Sequence, residues 1–155
     1  MKKLSNEKGF TLIELLAVIV ILSVLVLIAV PTATSYLDST RASATAINAK
    51  EAIEAVRQDV ILNGFSSAEG SKVYNLTQIN GLLQKQLVNS PYSGAYNDNS
   101  VKVRVTQSSN NIYTYEMCMI DSLGNGFSTY TLENDITANT VKSPAAVTDM
   151  SDCRY

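Results

Sequence analysis

The residues with the greatest chemical consequence sit together near the amino end, in Gly9-Phe10-Thr11-Leu12-Ile13-Glu14. From Leu12 to Val30 the chain is apolar except for Glu14 and Ser23. A carboxylate in such a run is costly to place in a bilayer and needs either a partner or an escape to water. One reading is a tolerated acid near the interface: it lies four residues past Phe10, about one helical turn in, where a side chain can snorkel. The other begins with a cut between Gly9 and Phe10. Cleavage would create an α-amino group one turn from Glu14 at similar depth. The amine of a neighbouring copy could then pair with Glu14 and fix an axial stagger between parallel helices, and pairing within one chain is also open. Buried charges persist where they have partners, and such pairs set registry more reliably than they add stability.

Other chemistry finds little to work with. The chain has no histidine, which removes His-based triads and His metal sites, and its two cysteines cannot form a four-thiolate zinc site. No Walker loop or dinucleotide fingerprint occurs. No enzyme, cofactor or metal is expected. Asp121-Ser122-Leu123-Gly124-Asn125-Gly126 carries acid and amide groups without the EF-hand order, and a hairpin turn is the simpler account. The eight tyrosines, among them Tyr113, Tyr115 and Tyr130 on candidate strands, suit core and cross-strand packing better than a ligand platform.

The amino-terminal junction must be positioned by a helix. Leu12 to Val30 is nineteen residues, and at about 1.5 Å of rise each they cover the roughly 30 Å core of a bilayer. A secretory signal would have a shorter apolar core followed by a small-residue cleavage site, whereas here the small residue, Gly9, precedes the run. Lys2, Lys3 and Lys8 hold the amino end in the cytoplasm and place the remainder outside. Of 155 residues, 46% are hydrophobic and 17% charged, and the length suggests one domain beyond the span. Without residues 1–9 the chain has nine basic and thirteen acidic side chains, net −4. That balance argues against a broad phosphate-binding surface and gives no strong nucleic-acid signal.

Past Pro31 the helical pattern continues, with Ala42, Ala46, Ala49, Ile53, Val56 and Val60 on one stripe and Lys50, Glu54 and Arg57 spaced for pairing on other faces. Asn63-Gly64 supplies a stop. The whole helix is about fifty residues, roughly 75 Å at the standard rise, with a kink expected at Pro31. So small a domain cannot bury it, and its first half must meet lipid or copies of itself. A shorter helix is expected from about Leu76 to Val88, capped by Asn75 and weakened by Gly81. Val101, Val103 and Val105 alternate with polar residues, Ile112–Ile120 is strand-like, and Phe127–Leu132 follows a turn. Together these predict an antiparallel meander of three or four strands packed on the Ile53–Val60 end of the helix. An extracytoplasmic location favours a disulfide between Cys118 and Cys153, the alternative being two free thiols. Closing that loop is worth about 3 to 4 kcal/mol on the chain-entropy model and would tie down the carboxyl end.

The leader, the Gly9–Glu14 motif and the apolar helix closely resemble the class III signal of type IV pilins and the related pseudopilins. The resemblance covers about the first thirty residues. It implies cleavage after Gly9 by a membrane-embedded prepilin peptidase, methylation of the new Phe10 amine, and a role for Glu14, with Phe10, in subunit assembly. Pro31 falls where many members of the family carry a helix proline, and Cys118 and Cys153 match a carboxy-terminal disulfide that bounds an exposed loop. Some pseudopilins hold calcium in loops like Asp121–Gly126.

The implied fold is α+β, a long helix on an antiparallel sheet with a disulfide-closed carboxyl region. The expected parts are leader 1–9, transmembrane and polymerisation helix 10–30, amphipathic helix 31–64 and extracytoplasmic head 65–155. Within the head, 65–100 connects, 101–133 forms the sheet and 134–155 is the carboxyl region. The implied partners are the peptidase, the membrane before assembly, other copies in a helical filament, minor pilins, and an assembly platform with its ATPase motor. The protein would wait in the cytoplasmic membrane and end as a surface filament serving adhesion, twitching motility, biofilm formation or DNA uptake. The alternatives are a pseudopilin of a type II secretion or competence system, a minor pilin, and a monomeric membrane-anchored binding module.

Overall fold

The structure, a computed structural model, describes residues 9–65, 70–142 and Cys153. The chain divides into two compact units, one through Asp38 and one from Ser39. Helix α1 (Leu12–Asn63) supplies the first unit and begins the second.

In the first unit the apolar side chains are exposed from Leu12 to Val30, and the eighteen-residue window that meets the requirements of a membrane span has none of its residues buried. Its few polar groups are satisfied within the helix. Ser23 Oγ donates to the Ile19 carbonyl at 2.7 Å and Thr32 Oγ1 to that of Ile28 at 3.2 Å. Pro31 lies inside the helix and has no N–H to offer the preceding turn, while the Pro31 carbonyl accepts from Thr34 Oγ1 at 3.0 Å.

In the second unit α1 buries Ala42, Ala46, Ala49, Ile53, Val56 and Val60, the stripe its spacing predicts, and adds Thr45 and Ala52. Thr45 can be buried because its hydroxyl donates to the Arg41 carbonyl at 3.0 Å. Four strands follow: β1 (Ser71–Asn75), β2 (Val101–Gln107), β3 (Tyr113–Ile120) and β4 (Gly126–Leu132). They form one antiparallel sheet in chain order, with Tyr74 opposite Val103 and Val103 opposite Met117. Its inner face carries Tyr74, Val101, Val103, Val105, Tyr115, Met117 and Met119, which share a core with Ala49, Ile53, Val56 and Val60 of α1. Each large apolar side chain fully buried there contributes about 1.5 to 3 kcal/mol. Arg57 fastens the edge of this contact, its guanidinium 4.7 Å over the Tyr115 ring and paired with Glu133 and, at 3.4 Å, with Glu54.

Two parts differ from the sequence expectation. Strand β1 was not anticipated, because Ser-Lys-Val-Tyr-Asn has too little alternation to stand out. Helix α2 spans Leu76–Leu82 and stops well short of Val88. Asn75 caps it as expected, in a reciprocal capping box with Gln78. The stop comes from Asn80: its Oδ1 accepts from Leu87 N at 2.7 Å and its Nδ2 donates to Leu87 O at 3.1 Å. That pair turns the chain back and delivers Leu87 to the core.

On the outer face of the sheet Arg104 pairs with Glu116 at 2.7 Å and lies 4.0 Å over the Tyr130 ring. Cys118 stands opposite Lys102 in the register, is fully buried, and is joined to Cys153 by a disulfide. Cys153 N donates to Asn99 O at 3.1 Å, so Cys153 is held against the connection before β2. The rest of 143–155 lies outside the described residues, as does most of the expected leader.

The turn between β3 and β4 is built on Asp121, which is 1% exposed. Its carboxylate accepts from the Ser90 hydroxyl, from Leu123 N at 2.9 Å, and from Asn125 N and Nδ2 at 2.8 and 3.1 Å. Those donors compensate a buried charge and tie the 89–100 segment to the sheet. Two glycines make the approach possible. A Cβ on Gly94 would lie 2.4 Å from Asp121 Cγ, and one on Gly126, at φ +137°, would lie 2.0 Å from the Met119 carbonyl oxygen.

Tyr96 packs beside this network at 8% exposure. Burial, aided by the Asp121 charge, pushes its phenol above the ordinary value of 10.0. A phenol with a raised folded pKa gives stability that is complete below its unfolded pKa and is lost as pH rises through and beyond that value. Urea midpoints measured between about pH 8 and 11 should therefore fall at the alkaline end, and Tyr96→Phe should flatten that fall. An unchanged alkaline slope in the variant would refute the assignment.

Candidate functional site

The amino-terminal junction is assembled by the start of α1. Gly9, Phe10 and Thr11 precede the helix and are exposed, Phe10 at 90%. Nothing lies within 4 Å of the position a Gly9 Cβ would take. Among the described residues nothing packs against the Gly9–Phe10 peptide bond. Thr11 is the residue before the first helical position, and its side chain and that of Glu14 close on each other. Glu14 N donates to Thr11 Oγ1 at 3.3 Å, while Thr11 N and Thr11 Oγ1 both donate to Glu14 Oε2 at 2.8 Å. This is the reciprocal capping box of a Thr-x-x-Glu sequence, which supplies orphan backbone groups at a helix start with partners. Leu15 N completes the turn by donating to Thr11 O at 3.2 Å.

Thr11 was missed as a partner of Glu14 in the sequence reading, although the three-residue spacing before an apolar run is the signal that could have found it. The carboxylate therefore has a use within its own chain, and one that engages only Oε2.

Gly9, Phe10 and Glu14 come together at this one helix start. Pro31 lies further along α1, and Cys118 and Cys153 belong to the unit that begins at Ser39. In the Asp121–Gly126 turn, the Asp121 oxygens are taken up by hydrogen-bond donors from Ser90, Leu123 and Asn125. The arrangement is that of a hairpin turn. Among the described residues no group of three or more His, Cys, Asp or Glu side chains could hold a metal ion.

A long amino-terminal helix packed on a four-stranded antiparallel sheet, with a Cys118–Cys153 disulfide in the carboxyl region, is the type IV pilin fold. Residues 4–30 match the family model of the prokaryotic N-terminal methylation motif. The amino-terminal segment thus carries a prepilin-type methylation motif, which supports a type IV pilin-like or pseudopilin protein. No curated protein and no solved structure gives a significant match.

Thr11→Val keeps the shape of the side chain and removes both hydroxyl bonds. Hydrogen exchange of the micelle-bound protein should then show faster exchange at the Thr11 and Glu14 amides, with Ala49 to Val60 unchanged. Equal protection of the first turn in both proteins would show that the capping box does not hold the helix start.

Proposed function

We propose that this chain is a structural pilus subunit that is cut between Gly9 and Phe10, methylated on the Phe10 amine and polymerised through the apolar half of α1. The observation that carries the reading is Glu14, the single carboxylate of the exposed, apolar Leu12–Val30 part of α1, standing within the methylation motif. Before assembly, Leu12–Val30 spans the cytoplasmic membrane with the head outside, as the leader lysines favour. Residues 1–9 are removed as leader, 10–30 form the polymerisation helix, 31–64 continue it past a kink at Pro31, and 65–155 form the head.

Cleavage leaves Thr11 in place, so the capping box survives processing. Glu14 Oε1 takes part in neither bond from Thr11. That oxygen can receive the Phe10 amine of a neighbouring copy while Oε2 keeps its own helix start closed. A charged pair formed away from water then fixes the stagger of one helix against the next. The partners of this process are a prepilin peptidase, an assembly platform driven by an ATPase, minor pilins and further copies of the chain. The substantial head and its disulfide favour a pilus subunit over a pseudopilin.

Glu14→Ala should leave the head folded by circular dichroism and the leader removed, while filaments sheared from cells fall to background; undiminished filaments would refute the assembly role. Mass spectrometry of the amino-terminal peptide separates the classes. Abundant sheared protein beginning with N-methylated Phe10 identifies a major filament subunit, and the same end confined to membranes identifies a pseudopilin or minor pilin. An uncut leader in both fractions would leave a simple membrane anchor.

A further inference from the structure

The chain contains three Asn-Gly steps, at Asn63-Gly64, Asn80-Gly81 and Asn125-Gly126. Such a step is chemically reactive because a following residue without a Cβ lets the backbone nitrogen approach the asparagine side chain. The three steps are held very differently. Asn125 is 5% exposed, its Nδ2 donates to Asp121, and the Gly126 nitrogen is engaged with Lys142 O at 3.0 Å. Asn80 has both ends of its amide bonded to the Leu87 backbone, and Gly81 lies within α2. Asn63 is the last residue of α1; it and Gly64 are exposed, and Gly64 sits at φ +77°. Any backbone bond of the Gly64 N–H among the described residues is that of the last turn of α1, the turn that frays. The Asn63 side chain is exposed and is held by a bond from Nδ2 to Asp59 Oδ1 at 2.7 Å, on the helix surface and not in the core.

We propose that Asn63 is a site of spontaneous deamidation. The Gly64 nitrogen gives up its proton and bonds to Asn63 Cγ, the Cγ–Nδ2 bond breaks, and the amide nitrogen leaves as ammonia carrying that proton. Water then opens the resulting five-membered imide at either carbonyl, yielding aspartate or isoaspartate at position 63. No oxidant or reductant is involved. Fraying at a helix terminus has an opening cost near zero, whereas opening in a packed core approaches that of global unfolding, and this difference selects Asn63 over Asn125. The product has a local consequence. The donor to Asp59 becomes a second carboxylate beside it, at the negative end of the helix dipole, and Asp59 also accepts from Tyr74 Oη at 3.0 Å. Deamidation thus loosens the junction between the end of α1 and β1.

The test is peptide mapping of the full-length protein in micelles during prolonged incubation at mildly alkaline pH, with a denatured sample alongside. In the folded protein, conversion at Asn63 should exceed that at Asn80 and Asn125 by about tenfold or more, because only the latter two require internal structure to open first. In denaturant the three should react at comparable rates. Asn63→Gln should abolish the folded-state reaction, and Asn63→Asp should reproduce the lowered urea midpoint of aged protein. Retention of the amide at Asn63 in the folded sample, or equal conversion at all three sites before unfolding, would overturn the proposal.

Discussion

An apolar helix surface that the chain leaves uncovered governs the rest of this molecule. The hydrophobic side chains from Leu12 to Val30 are exposed, while the unit that follows fills its core with its own sheet and the end of α1. A sheet of four short strands could not cover such a span in any case. The surface needs an environment of lipid or of like helices, and both demand that polar groups be satisfied locally. Ser23, Thr32 and Thr34 meet that demand by bonding to carbonyls of their own helix. Glu14 meets it through Thr11, with Oε1 left as a further charged acceptor.

The same helix changes its role from Ser39 onward. There it is an internal wall: the alanines at 42, 46, 49 and 52 are buried, and Ile53, Val56 and Val60 share the core with the inner face of the sheet. Polar contacts fix what packing alone would leave loose. Arg57 holds Glu133 after β4, Asp59 holds Tyr74 on β1, and Asp121 draws the 89–100 segment against the β3–β4 turn. Each is a contact between parts distant in sequence, so together they define which connection lies on which edge.

Most of the frame was legible because periodicity is a strong signal. The helix stripe, the Val101–Val105 alternation and the β3 and β4 strands follow from spacing alone, and the cysteine pairing followed from compartment. What escaped was set by single side chains reaching across the chain. Leu82, Leu83 and Leu87 look like one helical face, but the two bonds from Asn80 to Leu87 break the helix after Leu82. Ser71–Asn75 is a strand because Val103 and Val105 stand ready to pair with it, and its own five residues carry little of that information. At the functional junction the chemistry of Gly9, Phe10 and Glu14 was visible from their types, whereas the part played by Thr11 lay in its three-residue spacing to Glu14, the signature of a capping box.

A sheet of four strands has two open edges, and identical molecules crowded together could join along them. Strand β1 offers only five residues at its edge, with Lys72 among them. At the other edge, the first residue of β4 is occupied by the chain itself: Gly126 and Lys142 exchange backbone bonds of 3.0 and 2.9 Å. The irregular register between Met117 and Met119 further breaks the regular β3–β4 ladder. The start of one edge is thus already paired within the chain and the other edge is short and carries a lysine, two features that discourage joining of one sheet to the next.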